Sequence, residues 1–525
     1  MKAFTEPLLS LAGFEEMTKT AEKSSGLISV TGCIDAQKSQ MIYAFGGHRK
    51  NKLIVTFGEQ KAKELYDEYS FFDKEVVYYP SKDVLFYQSD IRGNLLTAER
   101  IRALKAIREK ERVTLVTTFD ALMNTMAPIE KMWENVLTLE QGQLLDLKEI
   151  QAALIRMGYE KEYQVQTMGQ FSVRGGILDV FPLTEENPIR IELWGDEIDT
   201  IRYFDCESQK SIENTDRVSI YPAAELVLSD EEKAGGIEKL KAEAKRVSDK
   251  LRKQMKTEEA HRVTVMADEL TEEWGELSMY AGMDAFLSYF FDERVGLLDY
   301  FNPSDSLIFF DELTRCTEQG KLTETEFSES MKQRLAMGYI LPGQMNGLFT
   351  EKEIVAKLGK YSCIALAALD NKANGLHQLG SYGIHCQSVS PYNNSFELLI
   401  KDLKRYKKNG YRVILLSGSR TRAKRLSEDI TDQGITCFYT ENYDHELSQG
   451  QIMVCYGKVR RGFEYPILKF AVITESDIFG AQQKKKKRHR TYEGEKIQSF
   501  TDLSVGDYVV HENHGLGICR GIEKL

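Results

Sequence analysis

Residues 169–194, GQFSVRGGILDVFPLTEENPIRIELW, write consecutive β-strands joined by tight turns. Phe171–Arg174 and Ile177–Phe181 alternate in polarity around Gly175-Gly176, a pair that permits a bulge or tight turn, and Pro182 ends the ladder because it has no N–H to donate. A second hairpin follows. Ile191 and Leu193 fall on one face of its first strand and Arg190, Glu192 and Trp194 on the other, and Gly195-Asp196 turns the chain into Glu197–Phe204. Arg174 and Arg190 near an outward Trp194 have the composition of an interface hot spot. The same residues also suit a plain sheet face, with the arginines paired locally and the indole under a loop.

On either side of this antiparallel segment the pattern changes. Leu27–Val30, Lys52–Phe57, Val76–Pro80 and Val113–Thr118 are short apolar runs separated by helical patterns such as Glu59–Tyr69 and Thr97–Lys110, the spacing of βαβ units on a parallel sheet. Asp230–Glu259 places Ile237, Leu240, Val247 and Leu251 at helical intervals among charges and without an aromatic residue, which predicts a solvated or coiled helix. Ser306–Asp311 and Leu341–Phe349 close this first region. From Phe396 to Thr474 strand and helix signals alternate again, predicting a second small α/β unit. Lys484, Lys485, Lys486, Lys487, Arg488 and Arg490 then form a like-charge run, either a flexible tether or a strip that touches phosphates. From Leu503 the chain reads as β again, with a hairpin through Glu512–Gly515; His511 and His514 lack acidic or cysteine partners at ligand spacing and read as turn and strand residues.

The chain has 525 residues, which implies roughly three to five domains. Its 42% hydrophobic and 28% charged content is that of an ordinary globular protein, and nothing approaches the roughly 20 apolar residues of a membrane span. With no signal-peptide pattern after Met1, a cytoplasmic address is expected. Eight cysteines stand singly, so neither a disulfide framework nor a zinc site is expected. A net charge of −11 argues against a nucleic-acid footprint over the whole surface.

After the first strand comes Gly32-Cys33-Ile34-Asp35-Ala36-Gln37-Lys38-Ser39, which fits a phosphate-binding loop in place and spacing except that Gln37 stands where the second glycine belongs. Glycine there lets backbone N–H groups reach the phosphates; glutamine is expected to resist that geometry and to occupy the pocket. Leu307–Phe310 leads into Asp311 and Glu312, the strand-end carboxylates with which a motor ATPase holds Mg²⁺. Together they read as the remains of a nucleotide site, one that binds ATP negligibly and hydrolyses none, so no cofactor is expected.

The RGGILDVFP string with its downstream R-x-x-x-W resembles the domain shared by UvrB and the transcription-repair coupling factors, where it docks UvrA. The resemblance puts the UvrA-contacting positions at Arg174, Arg190 and Trp194, the last being phenylalanine in the family. Val505–Val510 and Gly517–Ile522 resemble the opening of the SH3-like barrel that these factors share with CarD-type regulators and that binds the RNA polymerase beta subunit. That barrel is unfinished at Leu525, and two strands make no stable core alone, so a longer polypeptide is expected. The interval Tyr79–Arg100 is too short for the aromatic DNA-probing hairpin of UvrB, which favours the coupling factors.

The resemblance implies an α/β multidomain chain with the following parts. Residues 1–138 and 223–349 form a degenerate P-loop helicase-like parallel sheet, and residues 139–222 are the inserted antiparallel UvrA-binding domain. Residues 350–480 are a small α/β domain, 481–498 a basic linker, and 499–525 the start of the polymerase-interacting barrel. It further implies an adaptor role, with ATP, Mg²⁺ and double-stranded DNA used by a translocase elsewhere in the family's chain. The alternatives are a UvrB-like helicase subunit and a CarD-like transcription regulator.

Overall fold

Short, largely apolar runs build the central layer of the structure, a computed structural model that describes residues 1–45, 51–82, 94–276, 282–369 and 375–480, and the backbone of 508–511 and 515–518. Four strands come first: β1 (Gly26–Thr31), β2 (Asn51–Thr56), β3 (Val77–Tyr79) and β4 (Thr114–Thr118). The chain then leaves for an antiparallel excursion. It consists of β5 (Leu137–Glu140), β6 (Glu160–Lys161), β7 (Gln170–Arg174), β8 (Ile177–Val180), β9 (Ile189–Trp194), β10 (Glu197–Phe204), β11 (Ser211–Thr215) and β12 (Arg217–Ile220). It returns through β13 (Ser306–Asp311), β14 (Ser362–Leu366) and β15 (Gln378–Gly383). The seven returning and leading strands form one sheet in the order β15-β1-β14-β13-β2-β4-β3, parallel throughout. β13 and β14 sit in its middle with every residue buried, as strands covered by helices on both faces must be.

This topology moves one expected boundary. β14 and β15 lie within 350–480, the interval assigned by sequence to a separate domain, yet they pair with β1 and β13 and complete the first sheet. The reason is local: SCIAL is an uncharged run that needs neighbours on both edges, and only the gap between β1 and β13 supplies them. The second sheet begins at Gln387. Its strands are β16 (Gln387–Ser388), β17 (Arg412–Ser417), β18 (Phe438–Tyr439), β19 (Ile452–Tyr456), β20 (Phe463–Tyr465) and β21 (Phe470–Thr474). They run in the order β16-β20-β21-β17-β19-β18, with β17 parallel to β19 and β21, and β20 antiparallel to β21.

The two sheets share a core. Ile414 and Leu416 of β17, Tyr465 of β20 and Val472 of β21 pack in one cluster with Phe4, Leu8, Phe71 and Phe72 of the first region. The alternate residues Val413 and Leu415 face a separate cluster made with the helices Phe396–Lys408 and Arg420–Asp432. Burying each large apolar side chain contributes about 1.5–3 kcal/mol, so this seam ties both sheets into one body. Met1–Gly480 accordingly forms a single compact unit.

The charged stretch after β12 becomes a helix, Asp230–Lys253, started by a capping box between Ser229 and Glu232. It pairs with Thr257–Glu276 as a helical hairpin, and Leu240, Ala244, Val263, Ala267 and Trp274 fill the seam. The second unit, Ala481–Leu525, is described only as β22 (Tyr508–His511) paired antiparallel with β23 (Gly515–Ile518), within the hairpin expected from the sequence. Among the described residues no helix is long and apolar enough to cross a membrane, and no group of three metal-ligating side chains occurs.

Candidate functional sites: an open sheet face and the loop at Lys38

The excursion builds a six-stranded sheet, β11-β10-β9-β8-β7-β6, whose two faces differ. Phe171, Leu178, Val180, Ile189, Ile191, Ile198 and Ile201 point to one side and pack with Leu154, Met157 and Tyr159. Period-two alternation sends Arg174, Asp179, Arg190, Glu192 and Trp194 to the other. Register fixes their neighbourhood: Ser172 stands opposite Asp179 and Asp179 opposite Arg190, while Ile177 stands opposite both Arg174 and Glu192. Gly195, at φ +66, takes the first position of the β9–β10 turn, where L residues are strained.

On that face the arginines are clamped. The buried Asp179 carboxylate accepts from Arg174 Nη2 at 2.8 Å, from Arg190 Nε at 2.7 Å and from Arg190 Nη2 at 2.8 Å. Arg190 also donates to Gln209 Oε1 at 2.8 Å and lies over the Phe204 ring, 4.3 Å from its centroid. Its bond to Asp179 holds its guanidinium above the usual arginine range. Glu192 is paired with Arg202. Trp194 is 85% exposed, under no loop. The two sequence readings are thus both partly realised, with local pairing for the arginines and an open indole beside them. Arg174 remains about a third exposed, and within the described residues its Nε and Nη1 make no hydrogen bond. Trp194 also walls an open cleft of about 700 Å³ rimmed by Glu140, Glu197, Asp199, Asp216 and Arg217.

Asp179 was not singled out by sequence. Its signal was present, because an aspartate within an apolar strand at even spacing from Ile177 has to face the same side as the arginines.

At the other site, Lys38, Asp311 and Glu312 come together although 273 residues separate the first two. Lys38 is 1% exposed, and its ammonium lies 2.5 Å from Asp311, 2.9 Å from Glu312 and 3.2 Å from Asp35. Burial alone would lower its pKa, but the Asp311 and Glu312 carboxylates hold it above the ordinary lysine range. Thr56 Oγ1 donates to the other Asp311 oxygen at 3.0 Å.

The segment before Lys38 is not an open loop. The helix Asp35–Phe45 begins two residues before Gln37, so the expected loop positions are its first turn. Gly32 N donates to Ala368 O and Cys33 N to Ala367 O, at 3.2 and 2.9 Å, rather than pointing at an empty cradle. A Cβ on Gly32 would lie 2.1 Å from Ile384 O. The Gln37 side chain is fully buried, and Tyr465 Oη of β20 donates to its Oε1 at 3.2 Å and to Gln40 Oε1 at 3.3 Å. Gln37 Nε2 and Ser39 Oγ are buried without a hydrogen-bond partner.

Lys484, Lys485, Lys486, Lys487, Arg488 and Arg490 lie outside the described residues, as do His514, residues 83–93 of the Tyr79–Arg100 interval that spoke against the aromatic hairpin, and the His511 side chain.

The antiparallel excursion coincides with a known domain: residues 137–226 match the UvrB interaction domain, and residues 503–525 match the CarD-like/TRCF RID domain. The chain is 30% identical over 475 residues to the transcription-repair-coupling factor of Bacillus subtilis (strain 168), covering 90% of this chain and 40% of that protein. It is 28% identical over 510 residues to that of Staphylococcus haemolyticus (strain JCSC1435), covering 95% of this chain and 42% of that protein. It is 27% identical over 527 residues to that of Staphylococcus aureus (strain NCTC 8325 / PS 47), covering 98% and 43%. The chain is thus similar over nearly its whole length to transcription-repair-coupling factors, and it spans about two fifths of these relatives' length.

Proposed function

We propose that this chain is the adaptor portion of a transcription-repair coupling factor, recruiting UvrA in nucleotide excision repair to RNA polymerase stalled at a lesion. One observation carries the reading: Arg174, Arg190 and Trp194 converge on a single open sheet face within the region that matches the UvrB interaction domain. Residues 499–525, which overlap the match to the polymerase-interacting domain, begin the module that meets the polymerase beta subunit. ATP-driven translocation on double-stranded DNA belongs to the rest of the family's chain. The loop at Lys38 is a P-loop descendant that holds no nucleotide, because its amides and its lysine are already bound within the protein. If the Lys484–Arg490 strip touches phosphates, the chain retards duplex DNA at low salt and that binding falls steeply as salt rises; unchanged mobility at low salt removes the contact.

The test is capture by purified UvrA. Arg174→Ala combined with Arg190→Ala should cost about 2–4 kcal/mol of binding, enough to abolish capture at micromolar concentrations. A folded double variant that captures UvrA as the parent does removes the assignment.

A further inference from the structure

The polar face runs on past Trp194, and strand register carries it there. Trp194 pairs with Glu197 across the β9–β10 turn, and Glu197 in turn bridges Leu144 in the segment after β5. Leu145 N donates to Asp196 O at 2.7 Å and Ile198 N to Gln143 O at 2.9 Å, the two bonds that flank a close antiparallel pair. Residues opposite one another on neighbouring strands share a face, so Leu144, Glu197 and Trp194 stand in one row. Their chain neighbours take the other side: Leu145 and Ile198 are buried in the core cluster of the opposite face, and Leu193 packs against it. Two strand spacings of about 4.8 Å put Leu144 and Trp194 about 10 Å apart, with Glu197 between them.

Leu144 is 75% exposed beside an indole equally open to solvent. A single exposed leucine is ordinary, but here two large apolar side chains flank one carboxylate on a face already built for docking. Arg217 is the only cation lining the cleft that Trp194 walls, and it pairs with Glu140 at 3.2 Å; Glu197 has no ion pair among the described residues. The face therefore changes sign along its length, with free Arg174 donors at one end and an unpaired carboxylate beyond the indole. An aromatic wall beside a carboxylate fits a lysine or arginine, through cation–π contact and a charge-assisted hydrogen bond.

We propose that Leu144 is a second apolar contact of the docking face, and that Glu197, between it and Trp194, takes a lysine or arginine of UvrA that enters the cleft. The proposal rests on the UvrA-docking reading and deepens it. The partner surface then carries an acid for Arg174 and a base for Glu197 on either side of an apolar patch, which fixes the orientation in which it docks.

The experiment is a titration of the full chain with purified UvrA, comparing the parent with Leu144→Ala, Leu144→Met, Glu197→Gln, Glu197→Lys and Arg174→Ala. Leu144→Ala should weaken binding about tenfold with an unchanged melting temperature, since its side chain touches solvent, and Leu144→Met should stay within about twofold of the parent. Glu197→Lys should weaken binding by more than about tenfold and Glu197→Gln by only about threefold, because a reversed charge repels the incoming cation and a neutral one merely fails to attract it. If Leu144→Ala or Glu197→Lys binds within about twofold of the parent while Arg174→Ala fails, this inference is overturned and the docking reading stands. If the parent itself does not bind UvrA, both fall.

Discussion

Replacing Gln37 by glycine rebuilds the sequence of a phosphate-binding loop, and the contacts around Lys38 predict that the variant still fails to bind nucleotide. The substitution removes one of two acceptors on the Tyr465 hydroxyl, worth about 0.5–1 kcal/mol, and places glycine in the first turn of Asp35–Phe45 at a cost of up to about 1 kcal/mol. Relief of the unpartnered Gln37 Nε2 offsets part of this, leaving a loss of roughly 1 kcal/mol. None of the obstacles to nucleotide changes. A 1 μM site needs about 8 kcal/mol of binding. To reach a phosphate, Lys38 has to abandon contacts at 2.5, 2.9 and 3.2 Å, and stranding one partner of a buried pair costs about 3–5 kcal/mol. The Gly32 and Cys33 amides must also leave Ala368 and Ala367. Titration of Gln37→Gly with a fluorescent ATP analogue and Mg²⁺ should therefore show dissociation constants above about 1 mM, alongside a slightly lowered melting temperature. Micromolar, Mg²⁺-dependent binding would refute the argument, because it would mean that glutamine alone closes the site.

Asp179→Asn leaves two guanidiniums around a neutral amide. Since Arg174 is about a third exposed the loss should be about 2 kcal/mol in urea titrations, with weaker UvrA capture, and unchanged stability would show that the clamp is ornamental. Glu225 accepts from buried Arg100 at 2.7 and 3.0 Å; although burial opposes it, Arg100 and Lys82 hold its carboxyl down to about 2. A depressed carboxylate stabilises the fold fully above its unfolded value near 4.5 and loses that contribution as pH falls from there toward 2. Glu225→Gln should be less stable at pH 7 and lose this acid-side slope, and an unaltered slope would count against the pair. Lys52 is fully buried, with Nζ 3.1 Å from Tyr69 Oη, and burial, helped by Arg112, lowers its ammonium to about 7. Its unfolded form holds the proton up to about 10.5, so stability should rise between pH 7 and 10. Lys52→Met should flatten that rise and raise the melting temperature at pH 7, whereas a fall would mean that the Tyr43 and Tyr69 rings favour the charge.

Local order was legible wherever its period was short. The hairpin strands of β7–β10 and both of their turns follow from alternation and glycine placement, and the helix Glu59–Tyr69 was bounded to the residue. Uncharged runs were less informative. SCIAL at 362–366 reads equally well as a strand of either sheet, and only its neighbours assign it to the first. The short strands β16 and β20 carry no periodic signal, so Tyr465 could not be connected with Gln37. Arg174 and Arg190 were visible as a pair; the strand period also put Asp179 on their side, but only its burial shows that it binds them both.

The residues themselves determined which groups are available: two guanidiniums and an indole on neighbouring strands, and a lysine, two carboxylates and an amide at the spacing of a phosphate-binding loop. Tertiary packing decided their condition. Asp179 is buried by the strands next to it in the chain and Asp311 against Lys38, which lies 273 residues away, and a carboxylate withdrawn from water binds the nearest cation. Whether an arginine or a lysine is left free for a partner is therefore set by what folds against it, and one-dimensional order carries no record of that distance.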